Sequence, residues 1–488
     1  MAFNKISYGD EAPIAAFATV PGKSALTMIR CSGKGSIELV SSVFMSGGKK
    51  SSLSPLLTAA GNTVVYGWIV NSKNNSVCGS EKIDEVLVSV FRAPKSYTGE
   101  DSLDISCHGG FVTGSSVLNV LKNVGFREAL PGEFTFRGFM NGKLDLTQSE
   151  AVMELVSAKT ETGRSHAVSR LSGSLHSDIN KIKLLLVEVL AAAEIYLDYS
   201  EDEISADIEE AEGKLPKRDV AIAALSHLKA LSASWQLERI YQDGVSVVIA
   251  GRPNAGKSSL FNSLLKEDRS IVTEAAGTTR DWIEAWVSLE GFPIRLIDTA
   301  GLRETSDIVE TIGVERSLKL LQEAEIVLYL IDGECGLTNE DLEFIASQDE
   351  PLRKSGRYCL FVWNKADVAP PPQPFSPAGV SLLSVSAKTG GGIAELNSAI
   401  VSAIRNQVGA DLSGIVDTAG LGTARQKTLV DCACSALEEA LILAKKEEPL
   451  DLIAPLLRET VNSLGEITGE VSTADVLEKM FSRFCVGK

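Results

Sequence analysis

The stretch VSVVIAGRPNAGKSSLFNSLL, residues 245–265, constrains the fold more than any other part of this 488-residue chain. An apolar β-run passes into a helical pattern through G-x-x-x-x-G-K-S at Gly251–Ser258, which is the context that marks a P-loop. The glycines let backbone N–H groups wrap phosphates, and the helix behind them adds its positive end. In this register Asn254, Ala255, Gly256 and Ser259 belong to the phosphate loop, Lys257 reaches the β- and γ-phosphates, and the Ser258 hydroxyl coordinates Mg²⁺. Further apolar runs follow: PIRLIDTAG, AEIVLYLID, YCLFVWNKAD and VSLLSVSAK, separated by segments suited to helices. That rhythm predicts a mostly parallel α/β sheet.

The companions of the P-loop name its nucleotide. IDTAG ends a strand, so Asp298 is placed to hold the metal through water, with Thr299, Ala300 and Gly301 beside the γ-phosphate. The letters DTAG recur at 417–420 with only GIV before them, and that copy is taken as coincidence in a linker. WNKAD gives N-K-x-D at Asn364, Lys365 and Asp367. A carboxylate at Asp367 accepts hydrogen bonds from guanine N1–H and its 2-amino group, a pair that adenine does not offer. SAK, at Ser386, Ala387 and Lys388, supplies a backbone N–H for guanine O6. The switch segment is VTEAAGTTRD, in which Thr279 closes on Mg²⁺ and the γ-phosphate. Leu302 stands where many GTPases carry a water-orienting glutamine. Glu310 is the nearest attractive carboxylate, with a solvated surface role as its alternative. No arginine finger is assigned by the sequence; Arg252, Arg280 and Arg303 are candidates, with a surface or phosphate-side charge as the favoured alternative for each.

Outside that region the signals are organisational. Residues 14–141 mix short β-rich runs with Gly and Ser turns, and no proline interrupts the helical periodicity between Pro131 and Pro216. The acidic EDEISADIEEAE at 201–212 suits a linker or solvated face, and the Pro-rich 369–379 suits a stiff surface loop. Helical patterning returns after about Asn406. The economical account is four segments: a front domain at 1–141, a helical domain split into 142–243 and 407–488, and an α/β domain at 244–406 inserted into it. The fold class is therefore multidomain, α+β followed by a helical domain interrupted by an α/β, Ras-like P-loop domain.

Charge and apolarity exclude some functions. Net charge is −17, from 47 Lys and Arg against 64 Asp and Glu, which argues against a surface that attracts nucleic acid everywhere. The most apolar helical run, Ile182–Leu197, contains Lys183, Glu188 and Glu194 and is too short for a bilayer, so no membrane role is expected. With no export signal at the N-terminus, the eight cysteines are expected reduced, in a cytoplasm. Cys432 and Cys434 lie two apart on a helix and face different ways.

IAAFATVPGKSALTMIRCSG, SYTGEDSLDISCHGG, LPGEFTFRGFMNGKLDLTQSEA, GRPNAGKSSL with AGTTRD, and LGEITGEVSTADVLEKMFSRFCVGK together span essentially the whole chain. With them the chain resembles the MnmE (TrmE) family, GTPases of tRNA wobble-uridine modification. The resemblance implies an N-terminal folate-binding domain that forms a homodimer, and an FAD-dependent partner of the MnmG kind, FAD being held only there. It implies a carboxymethylaminomethyl or aminomethyl group placed on C5 of uridine 34 of tRNA, with a tetrahydrofolate unit (5,10-methylene or 5-formyl) as donor. It implies K⁺ in place of an arginine finger, ligated through Asn254, Thr273, Ala275 and Thr278, and Glu310 as the residue that orients water. Folate contacts carry over to Arg30, Asp104, Lys143 and Lys488; relatives usually have glutamate at position 104. TARQ at 423–426 also departs from the family, which often has asparagine and histidine flanking Ala-Arg. The terminal FCVGK makes Cys485 functional by resemblance; a packed core thiol is its alternative, and lipidation fits poorly because Gly487 and Lys488 do not satisfy C-a-a-X. The competing class is a regulatory GTPase that binds RNA or a ribosome without modification chemistry.

Overall fold

The computed structural model describes residues 8, 10–46, 54–71, 81–198, 215–267, 283–298, 323–354, 357–371, 382–408 and 420–487. Contacts divide the chain into two compact units, 1–153 with 462–488, and 154–461.

The first unit is built on strands β1 (Ile14–Phe17), β2 (Leu26–Ser32), β3 (Phe44–Ser46), β4 (Thr63–Asn71), β5 (Glu81–Phe91), β6 (Ser102–His108) and β7 (Arg127–Glu128). They form one sheet in the order β3-β4-β5-β6-β2-β1-β7. In β5 Val86, Val88 and Val90 are buried while Leu87 is exposed, the alternation of a sheet packed on one face. The packed face meets helices α1 (Ser36–Ser42) and α3 (Phe111–Asn123), with α2 (Pro55–Thr58) beside α1. Helix α4 (Glu133–Met140) follows, and α5 (Leu146–Ser157) begins in this unit. The C-terminal part of the chain returns here. Phe481 and Phe484 are buried among Tyr8, Phe136, Phe139 and Leu146, so α14 (Ala474–Phe481) docks through aromatic rings at its end.

The second unit contains α6 (Glu161–Leu171), α7 (Ser174–Asp198), α8 (Arg218–Asp243) and α12 (Ala424–Lys445), with most of α13 (Leu450–Thr468). Its sheet comprises β8 (Val245–Gly251), β9 (Ile283–Leu289), β10 (Phe292–Asp298), β11 (Ile326–Asp332), β12 (Tyr358–Asn364) and β13 (Leu382–Ser384), ordered β13-β12-β11-β8-β10-β9. Every pairing is parallel except the β9–β10 hairpin. Strand β11 is buried along its whole length, as a central parallel strand covered on both faces requires. Helices α9 (Lys257–Glu267), α10 (Asn339–Lys354) and α11 (Ile393–Val408) connect the strands. The expected α/β pattern is therefore present, and the motif residues gather at the carboxyl ends of its parallel strands, where such sheets bind ligands.

A buried polar node ties the helices together. Arg170 is 1% exposed. Its Nε donates to Glu154 Oε2 at 2.7 Å, and one terminal nitrogen donates to Glu238 Oε2 at 2.8 Å and to the Gly420 carbonyl at 3.2 Å. The Gly420 N–H returns to Glu238 Oε1 at 3.1 Å, and His166 Nδ1 lies 2.9 Å from the same oxygen. Gly420 is the last letter of the second DTAG. The other three letters, 417–419, lie outside the described residues. Helix α8 leads through Gly244 straight into β8, and the Tyr241 ring near its end stacks on Phe292 at 5.1 Å. Thr423 and Gln426, the point of departure in TARQ, form a capping box at the start of α12.

Candidate nucleotide site and its companions

The P-loop leaves β8 at Gly251 and enters α9 at Lys257. Lys257 Nζ donates to the carbonyls of Gly251 and Arg252 at 3.0 and 2.8 Å, so its ammonium lies inside the loop. Ser258 Oγ donates to Asp298 Oδ2 at 2.8 Å. These two oxygens come from the P-loop helix and the end of β10, and they suit a hard divalent cation held partly through water. Asn254 is exposed and has φ of 65°, turning its backbone at the mouth of the loop. Arg252 lies 3.4 Å from the fully buried Asp341, which also accepts from Tyr329 and Thr338. Arg252 is thus engaged with α10, which accounts for one of the three arginines left open by the sequence.

The base side is equally ordered. Asn364 Nδ2 donates to the Ala255 carbonyl at 2.8 Å, and its Oδ1 accepts from the Ala387 N–H at 3.1 Å. One side chain therefore fastens the phosphate loop to the SAK loop. Ser386 Oγ donates to Asp367 Oδ1 at 2.6 Å. That bond, with Lys388 nearby, holds the Asp367 carboxyl below the usual carboxylate range and keeps it an acceptor. Gly256, Ser259, Asn364, Lys365, Asp367, Ala387 and Lys388 line one cleft of about 720 Å³. The sequence reading missed Asn262, Ser263 and Lys266, which line it too; their one-turn spacing along α9 from Ser259 was the available signal.

Lys365 is held at both ends. Its backbone has φ of 62°, and its Nζ meets Asp332 at 2.8 Å and Glu334 at 3.2 Å. Burial pushes the Asp332 carboxyl up, but the Lys365 ammonium and the Glu334 N–H bring it below its ordinary range. The Lys365 ammonium is raised, first by its hydrogen bond to Asp332.

Several named residues lie outside the described residues: Thr273, Ala275, Thr278, Thr279, Thr299, Ala300, Gly301, Glu310 and Lys488, together with Leu302, Arg280, Arg303 and the acidic 201–212. Most of the Pro-rich 369–379 lies outside them as well.

In the first unit, Arg30 and Asp104 face each other across β2 and β6 and pair through two bonds of 2.9 and 3.2 Å. The Arg30 guanidinium also lies 5.4 Å from the Tyr97 ring centre. Lys143 is exposed and donates to the Pro94 carbonyl at 3.1 Å, and a Cβ on Gly99 would lie 3.3 Å from its Cγ. Arg30 and Lys143 thus border the same loop, 97–99. Tyr97 belongs to the SYTGE stretch, and only its contact with Arg30 brings it into this group.

The tail answers a question left open by the sequence. Cys485 is exposed, while its neighbour Phe484 is in the core. The Cys485 carbonyl accepts from the Gly132 N–H at 3.3 Å. Gly132 has φ of 66°, and a Cβ there would lie 2.7 Å from the Phe481 carbonyl. Gly487 has φ of 95° and is buried so close to the Phe17 carbonyl that no side chain fits. The backbone is gripped on both sides of Cys485 while the thiol faces outward, so the thiol is not core filling. Among the described residues no His, Cys, Asp and Glu group of metal-binding size exists, Cys432 and Cys434 included.

Two family models match: the MnmE helical domain over residues 146–485 and the GTP-binding protein TrmE N-terminus over residues 13–143. The chain is 41% identical to the tRNA modification GTPase MnmE of Treponema denticola, over 100% of both chains. It is 40% identical to the protein of the same name from Borrelia recurrentis, over 98% of each, and 37% identical to that of Carboxydothermus hydrogenoformans, over 98% of this chain and 100% of the relative. Matched in this way from end to end, the chain belongs to the MnmE (TrmE) family.

Proposed function

We propose that this chain hydrolyses GTP to drive modification of the wobble uridine of tRNA, in a cytoplasm and as a homodimer with an FAD-containing, MnmG-like partner. The observation that carries the modification reading over a purely regulatory GTPase is the gripped tail, which holds Cys485 exposed in the same unit as Arg30, Asp104, Tyr97 and Lys143. A timing switch has no use for such a thiol.

At the nucleotide, Asp367 reads guanine, Ala387 and Lys388 close over the base, and Lys257 receives phosphate. Ser258 and Thr279 would hold Mg²⁺, with Asp298 behind a water, and the metal supplies charge neutralisation at the phosphates. Asn254 with Thr273, Ala275 and Thr278 would hold K⁺, which takes the part of an arginine finger, worth about 10³–10⁵-fold in rate. Glu310 orients the attacking water. In the first unit Arg30, Lys143 and Lys488 provide cations for the glutamate tail of a tetrahydrofolate derivative (5,10-methylene or 5-formyl). Asp104 is engaged by Arg30, so its part is to orient that guanidinium, and the product bears an aminomethyl-type group at C5 of U34.

The test is paired. GTP turnover of the full chain is measured in potassium and in sodium buffers, and wobble-uridine nucleosides are analysed in cells lacking the protein. At least a tenfold preference for potassium and loss of the C5 group are expected. Equal turnover in both salts would remove the K⁺ assignment, and unchanged uridine 34 would leave a regulatory GTPase.

A further inference from the structure

Behind Lys365, which lines the cleft, lies an element that the guanine motifs leave unexplained. Asp332 ends the buried strand β11, is only 3% exposed, and belongs to none of the four nucleotide motifs. Its Oδ2 accepts from Lys365 Nζ at 2.8 Å and its Oδ1 from the Glu334 N–H at 3.0 Å. Between the two acids, the Gly333 N–H donates to the Asn364 carbonyl at 3.0 Å. The three residues after the body of β11 therefore clasp both parts of the N-K pair: its backbone through Gly333 and its ammonium through two carboxylates.

We infer that Asp332 is a positioning residue of the guanine site, acting through Lys365 to fix the wall against which the base rests. This rests on the guanine-nucleotide reading of the cleft. Lys365 lines the cleft and has a long apolar stem. A stem of that kind is a useful surface for a base only when it is held in one rotamer, since a free lysine loses up to about 2 kcal/mol of side-chain entropy on being ordered. The left-handed backbone at Lys365, uncommon for a residue with a Cβ, also needs neighbours to maintain it. Asp332 and Gly333 supply both restraints before nucleotide arrives. With its charge matched by Asp332 and Glu334, the ammonium is committed to the base side rather than to phosphate.

The experiment is a double-mutant cycle read by equilibrium binding of mant-GDP to the full chain, with mant-ADP as the control. Asp332→Asn is expected to raise Kd for mant-GDP by about 10–100-fold, the range for a hydrogen bond to a charged group. In a Lys365→Met background the same change is expected to alter Kd less than twofold, because the group it acts through is gone. In turnover, KM for GTP rises by a larger factor than kcat falls. Gly333→Ala is an independent route: its Cβ would lie 2.5 Å from the Asn364 carbonyl and 2.6 Å from Trp363 Nε1, so the clasp is displaced with both acids intact and Kd rises as well. An unchanged Kd in both single variants, or an equal loss with and without Lys365, overturns the inference. If the wild-type chain does not bind mant-GDP in preference to mant-ADP, the guanine reading fails first and the clasp falls with it.

Discussion

Arg170→Met is a direct measure of how the helical part of the second unit is held. Methionine keeps most of the side-chain stem but deletes the charge, leaving Glu154 and Glu238, 8% and 3% exposed, without the guanidinium between them. Removing one member of a buried ionic group costs about 3–5 kcal/mol, because the remaining charge is stranded away from water. A chain of several domains has no single unfolding midpoint, so the local readout is amide exchange in α6 and in the turn at 420–422. At about 1.4 kcal/mol per factor of ten, protection there falls by roughly 10²–10⁴. Acid narrows the gap. In the wild type, burial pushes Glu238 up, but His166 and Arg170 bring its carboxyl below the ordinary range. Its contribution is therefore present above the unfolded pKa of about 4.3 and is lost as pH falls through the lower folded value. In the variant the stranded acids are raised by burial, so their penalty exists above the raised pKa and is relieved as pH falls. Protection in the two proteins should thus converge as pH falls towards the carboxylate range. A loss under tenfold at neutral pH would refute the reasoning, as would a gap that widens in acid. So would Arg170→Met/Glu154→Leu/Glu238→Leu proving no more stable than Arg170→Met, since replacing the whole group by apolar residues should restore most of the loss.

Three further outcomes are expected. Asp367→Asn replaces one carboxylate acceptor by a donor and removes the charge, and GDP affinity by calorimetry should drop by about 30-fold or more; a change under fivefold would contradict guanine recognition there. Cys485→Ser should leave GTP turnover near wild type while abolishing uridine 34 modification, and Gly487→Ala, which drives a methyl into the Phe17 carbonyl, should do the same while raising exchange in the tail; loss of both activities in Cys485→Ser would make the tail a folding element. With a maleimide at neutral pH, peptide mapping should find Cys485, Cys335 and Cys432 modified, with Cys31 and Cys107 protected, since they are buried and burial pushes the Cys107 thiol up to about 11; rapid labelling of Cys107 would contradict its placement in the core.

What was legible in the chain followed the range of the interactions. The P-loop, N-K-x-D and SAK are local arrangements of backbone and a few side chains, and short segments write them in full. Central strands such as β11 declared themselves by continuous apolarity, because both faces are covered. The Arg170 node was not legible, since its members at 154, 170, 238 and 420 are brought together only by packing of helices far apart in the chain. The same range hides the part played by the last glycine of the second DTAG, whose partner lies some 180 positions earlier. Asp332 had no motif to announce it, only the end of a strand. The tail gave its residue types but not its geometry, for nothing local distinguishes a cysteine turned outward from one packed inward.

The bond between Gly420 and Glu238 bears on how such a chain could have arisen. Glu238 lies seven residues before β8 begins at Val245, and Gly420 opens the stretch that leads into α12, so the path out of the helices and the path back lie a single 3.1 Å bond apart. A nucleotide-binding cassette spliced between them would leave the surrounding helices with no gap to span.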